Sequence, residues 1–222
     1  MSSVPNPSNQ SLRFPFLNSK RAFFLLFGLM ALLVIYVFEV PLMNPNSPAW
    51  AHFAPKSRLW LLPHALGGTL ALLLAPFQFS NRLRQRNLQL HRVLGRIYVG
   101  AVMVAAPMAI PIAAIQGPPE VLMAAVMQSS GWLITTLVAL YCVRTGNITQ
   151  HRQWMIRSYP FGLVFLATRT LFLVPAIHRM GLLGIIEVVW SCVFAAAFIP
   201  TFVINWRAIF PVKKALAARA GA

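Results

Sequence analysis

The chain has 222 residues, of which 58% are hydrophobic and only 10% charged. A soluble domain of this size carries about 25% charged residues, so too little polar material is present to cover a water-facing surface. The net charge is +16, from 19 Lys and Arg against three acids, but the basic residues lie in short segments between apolar blocks. Their expected partners are therefore membrane lipids with anionic headgroups and not nucleic acid.

Six apolar blocks approach the roughly 20 residues needed to cross a bilayer, and they predict an all-α polytopic membrane helix bundle. The first runs over 22–38. Arg13, Lys20 and Arg21 precede it, and Ala49-Trp50-Ala51 resembles a signal-peptide cleavage site. The run is long, however, and Glu39 and three prolines intervene, which favours a retained anchor. The second and third blocks cover 59–79 and 97–115, and the fourth 121–143. The fifth, 158–177, is interrupted by Arg169, and the sixth, 180–206, by Glu187. Residues 1–19 read as a disordered tail and 211–222 as a basic one, flanking a membrane domain over 20–210.

Orientation follows from the basic residues. With both ends in the cytoplasm, the inner segments hold Arg13, Lys20, Arg21, Arg82, Arg84, Arg86, Arg92, Arg96, Arg144, Arg152, Arg157, Arg207, Lys213, Lys214 and Arg219. The outer segments hold only Lys56, Arg58 and Arg179. The expected location is a bacterial cytoplasmic (inner) membrane.

Two inner segments echo each other. His91-Arg92-Val93-Leu94-Gly95-Arg96-Ile97-Tyr98 and His151-Arg152-Gln153-Trp154-Met155-Ile156-Arg157-Ser158-Tyr159 each open a helix with His-Arg, place a second Arg about a turn later, and then a Tyr. The hairpins of spans two–three and four–five are therefore expected to be parallel repeats. With His64, Arg169 and Glu187, these segments resemble the domain of unknown function 2306 family of predicted multi-pass membrane proteins, over roughly 59–206. The resemblance implies a membrane fold and marks positions, but brings no activity.

Charges within spans are expensive and mark interiors or cavities. Arg169 and Glu187 fall about 9–12 Å below the outer ends of their helices, and are expected to form an ion pair or share a hydrogen-bonded network. His64 and Gln128 lie about 8 and 10 Å deep, completing an outer layer, while Pro107 and Pro111 are placed to kink span three. One reading is a ligand pocket, with His64 and Glu187 as candidate catalytic acid–base groups and Arg169 as an anion clamp. The other is a polar clasp that fixes helix register. The inner layer of His91, Arg92, Arg96, His151, Arg152 and Arg157 suits an anion or a lipid headgroup.

No standard soluble metal motif is present, and Cys142 and Cys192 lie within apolar runs. Haem b ligated by His91 and His151 is the one metal possibility. The function expected is binding of an amphipathic ligand or cofactor (lipid, quinone or haem). An enzyme acting on a lipid-like substrate is the alternative, and a small transporter the third reading. An aspartate-rich diphosphate site is excluded because the chain contains no Asp.

Overall fold

The computed structural model describes residues 19–210, which are helical almost throughout, with no strand among the described residues. The two tails expected from the sequence lie outside them, apart from Ser19. Helix α1 (Ser19–Val34) passes through a π-helical turn (Ile35–Glu39) into α2 (Val40–Met43). It is followed by α3 (Pro48–Gln78), α4 (Asn81–Arg86), α5 (Leu88–Gln116), α6 (Pro119–Arg144), α7 (Ile148–Phe172), α8 (Pro175–Arg179) and α9 (Gly181–Ile209).

The chain punctuates these helices with side-chain caps. Ser47 accepts from the Trp50 amide, Ser80 from Leu83, Asn87 from Leu90 and Asn147 from Gln150. Each satisfies an amide donor that the first helical turn leaves open. Prolines within α3, α5, α7 and α9 do not end those helices. In particular, α5 is one helix through Pro107 and Pro111.

Among the described residues, five segments are long and apolar enough to cross a membrane: 25–42, 55–78, 88–116, 119–144 and 181–206. Large apolar side chains such as Leu25, Leu183 and Phe194 stand exposed on them, as expected of helices whose outer solvent is lipid. Helix α7 is too polar for the same criterion, yet it packs against α6 and α9. At 25 residues, it is about 37 Å long. Its Ser158 and Thr168 are buried among the neighbouring helices, while Thr149, Gln150 and Arg152 at its start are exposed.

Several boundaries differ from expectation. Helix α3 begins eleven residues before the expected Leu59, and α7 begins ten residues before Ser158 and ends at Phe172 instead of Ile177. Hydropathy alone does not see these amphipathic ends.

The core is built on two antiparallel hairpins, α3–α5 and α6–α7. In the first, Gly67 brings α3 so near α5 that an added Cβ would lie 2.9 Å from the Ala101 carbonyl oxygen. In the second, the Phe161 ring occupies the space over Gly131, and Trp132 lies against Gly162. A main cluster includes Tyr98, Val102, Ala105, Trp132, Phe161, Val164 and Val193. A second cluster, Ala31, Val34, Leu72 and Leu166, packs the first span on α3 and α7.

Candidate functional site

The face where α3 and α6 end and α5 and α7 begin carries Arg82 to Arg96 and Arg144 to Arg157; it is called here the basic face. Ionisable groups also gather inside the opposite half of the bundle, on three different elements.

Arg169 occupies the last turn of α7. Its guanidinium lies over the Phe38 ring at 5.1 Å and over the Phe165 ring at 5.6 Å. Phe165 is one turn earlier on the same helix, whereas Phe38 comes from the π-helical turn of the first span. Beside Phe38, Glu39 is only 5% exposed, and Arg169 acts on it electrostatically. His64, half-buried in α3, is the third member. Its Nδ1 donates to the Ala105 carbonyl at 2.8 Å, and it too feels the charge of Arg169. The ring is thus oriented by α5, which leaves Nε2 as the second, separately usable nitrogen.

The expected pair of Arg169 with Glu187 is not formed. Glu187 is exposed on α9, and the acidic neighbour of Arg169 is Glu39. Gln128 is also absent from this layer: its amide donates to the Phe161 carbonyl at 3.0 Å. Phe161 lies two turns, about 12 Å, from Arg169 along α7. Gln128 ties α6 to α7 and leaves the charged cluster to Glu39, His64 and Arg169. A π-helical turn is a frequent mark of a functional position, and here it ends on Glu39.

A cavity of about 490 Å³ opens nearby on α3, lined by Trp50, Pro55, Lys56, Arg58, Leu59 and Trp60. Trp60 is one helical turn before His64. Two of the three basic residues expected on this face line it, with two tryptophans of the kind that seat at membrane interfaces. It does not itself include the charged cluster.

Between the two halves lies a buried hydroxyl network. Trp132 Nε1 donates to the Tyr98 hydroxyl at 3.2 Å, Tyr98 meets Ser158 Oγ at 3.0 Å, and Ser158 meets Thr136 Oγ1 at 2.7 Å. Tyr98 and Ser158 occupy equivalent places in the two echoing segments, each seven residues after its histidine. Residues 61–210, more than half the chain, match the family of predicted membrane proteins DUF2306. The chain belongs to this family. Neither the curated proteins nor the solved structures include a match.

In this DUF2306 protein, the histidines of the basic face are near neighbours, since His151 acts electrostatically on His91. His151 Nδ1 donates to the Ala139 carbonyl at 2.8 Å. Arg92, Arg96 and Arg152 are exposed, and Arg157 stacks on Trp154 with 4.9 Å to the ring centroid. The contact of Tyr98 with Ser158 closes the bundle about two turns in from the histidines. A haem held by both would therefore have to sit at the face. No group of three or more His, Cys, Asp or Glu is placed to hold a metal among the described residues.

Proposed function

We propose that this membrane protein binds an amphipathic molecule, a quinone or a lipid, and receives its polar head at Arg169, Glu39 and His64. The observation that carries the reading is the convergence of these three ionisable groups, from the first span, α3 and α7, inside an apolar bundle. Such groups are costly there. Arg169 can bind an anionic or carbonyl oxygen, while Glu39 and His64 can exchange a proton with it. The cavity beside Trp60 supplies an approach one turn from His64. The same groups would serve an enzyme acting on a lipid-like head, which is the alternative reading.

The topology that accompanies this proposal has six spans, with α7 as the fifth, and both termini on the basic face. That face is assigned to the cytoplasm of a bacterial inner membrane, because it gathers most of the Lys and Arg.

The test is mass spectrometry of the molecules that co-purify with the protein, compared with Arg169→Gln and, as control, Glu187→Gln. A quinone or lipid retained by the wild type and by Glu187→Gln, but lost from a folded Arg169→Gln, supports the proposal. If nothing specific is retained and the double variant Glu39→Leu/Arg169→Leu accumulates as well as wild type, the cluster is a structural clasp.

A further inference from the structure

The two hairpins repeat at an interval of 60 residues. Asn87 and Asn147 cap α5 and α7, and their carbonyls accept from the amides of His91 and His151 at 3.1 and 3.0 Å. Tyr98 and Ser158 continue the series. The correspondence breaks at one point. His151 uses the Ala139 carbonyl, and α6 runs on beyond it to Arg144. The position equivalent to Ala139 in the first hairpin is Phe79, where α3 has already ended.

As a result, His91 Nδ1 is buried without a hydrogen-bond partner, and so is Gln78 Nε2 at the end of α3. The Gln78 side chain lies over Gly95, where an added Cβ would stand 3.2 Å from its Oε1. Gly95 is one turn beyond His91, on the same face of α5. The two unsatisfied nitrogens thus border one turn of one helix. Buried polar groups are nearly always satisfied, so an acceptor is called for.

The surrounding charge says what kind. Arg84, His151 and Arg92 all act electrostatically on His91. Among the described residues no carboxylate answers them: the three acidic side chains, Glu39, Glu120 and Glu187, are all in the opposite half. No described residue supplies that acceptor, and the surrounding positive charge suits an anion. Several oxygens on one centre suit a fork of Arg, amide and imidazole donors.

We propose that Gln78, Arg84, His91 and Arg92 form a binding site for a phosphate group, either a phospholipid headgroup or a phosphate ester from the adjoining aqueous phase. The site is independent of the ligand proposed for Arg169. It arises because α3 ends at Gln78, before the position equivalent to the Arg144 end of α6.

The test is calorimetric titration of the full-length protein, purified in a maltoside detergent and phosphate-free buffer. One titrant is inorganic phosphate and the other is dihexanoylphosphatidylglycerol. Saturable binding of inorganic phosphate identifies a site for free phosphate or its esters, and binding of the lipid alone identifies a headgroup site. Gln78→Leu and His91→Leu are expected to weaken binding at least tenfold. Arg86→Gln, which changes an exposed neighbour, should stay within twofold. Should Gln78→Leu fail to fold, Gln78→Glu keeps the shape and must abolish binding. Failure of both titrants to saturate wild type, or equal weakening by Arg86→Gln and Gln78→Leu, overturns the proposal.

Discussion

The Tyr98 hydroxyl meets the Ser158 hydroxyl at 3.0 Å, across 60 positions of sequence. The same interval separates the capping pair Asn87 and Asn147, so equivalent positions of two hairpins touch each other in the core. Ser158 is fully buried and also bonds Thr136. Removing it takes a partner from two hydroxyls at once and leaves Tyr98 only the Trp132 indole N–H.

Ser158→Ala is therefore expected to lower stability by about 0.6–2 kcal/mol, the span of values for interhelical hydrogen bonds in membranes. Thermal unfolding in detergent reads this as a reduced Tm. Tyr98→Phe/Ser158→Ala together should cost less than the sum of the single changes, because the two residues share a bond. Strict additivity would show that the hydroxyl contact contributes nothing.

The glycines divide sharply by what faces them. An added Cβ at Gly131 meets the Phe161 ring at 2.5 Å, and one at Gly67 meets backbone at 2.9 Å. Gly68 and Gly100 have nothing within 4 Å. Overpacking typically costs about 1–3 kcal/mol, so Gly67→Ala and Gly131→Ala should depress the melting temperature. Gly68→Ala and Gly100→Ala should hold or raise it. Indistinguishable melting of all four variants would contradict the packing described here.

Glu39 and Glu187 make opposite demands. Glu39→Gln removes the acid whose charge acts on Arg169, and a charge left uncompensated within a span is costly. Membrane levels of a fluorescent fusion should fall several-fold. Glu187→Gln should leave them unchanged. A larger loss for Glu187→Gln would restore the pairing expected from sequence.

That expectation failed for a physical reason. Arg169 and Glu187 are on consecutive spans, and depth counting puts them level. Counting cannot tell which side of α9 Glu187 faces, nor that a π-helical turn rotates the end of the first span and turns Phe38 and Glu39 toward α7. The membrane class, the apolar spans and the echo around His91 and His151 were all legible in residue pattern. The starts of α3 and α7 were not, because they carry exposed polar residues, His52, Lys56 and Arg58 in one and Thr149, Gln150 and Arg152 in the other, which look like loop residues in one dimension. Gln128 was placed by depth, but its partner, a backbone carbonyl, leaves no mark in the sequence.

Topology gives a further check. A reporter enzyme fused after Gly117 should be active only on the outside, and one fused after Gly146 only in the cytoplasm. A cytoplasmic signal at Gly117 would invert the orientation inferred from the basic residues.

The decisive experiment is a high-resolution electron cryomicroscopy map of the protein in a lipid nanodisc. It should show a head group within hydrogen-bonding reach of Arg169, with Glu39 and His64 around it and an apolar tail running out between the spans. Side chains closed on one another, with Arg169 held only by Glu39, Phe38 and Phe165 and no density between them, would contradict ligand binding at this cluster.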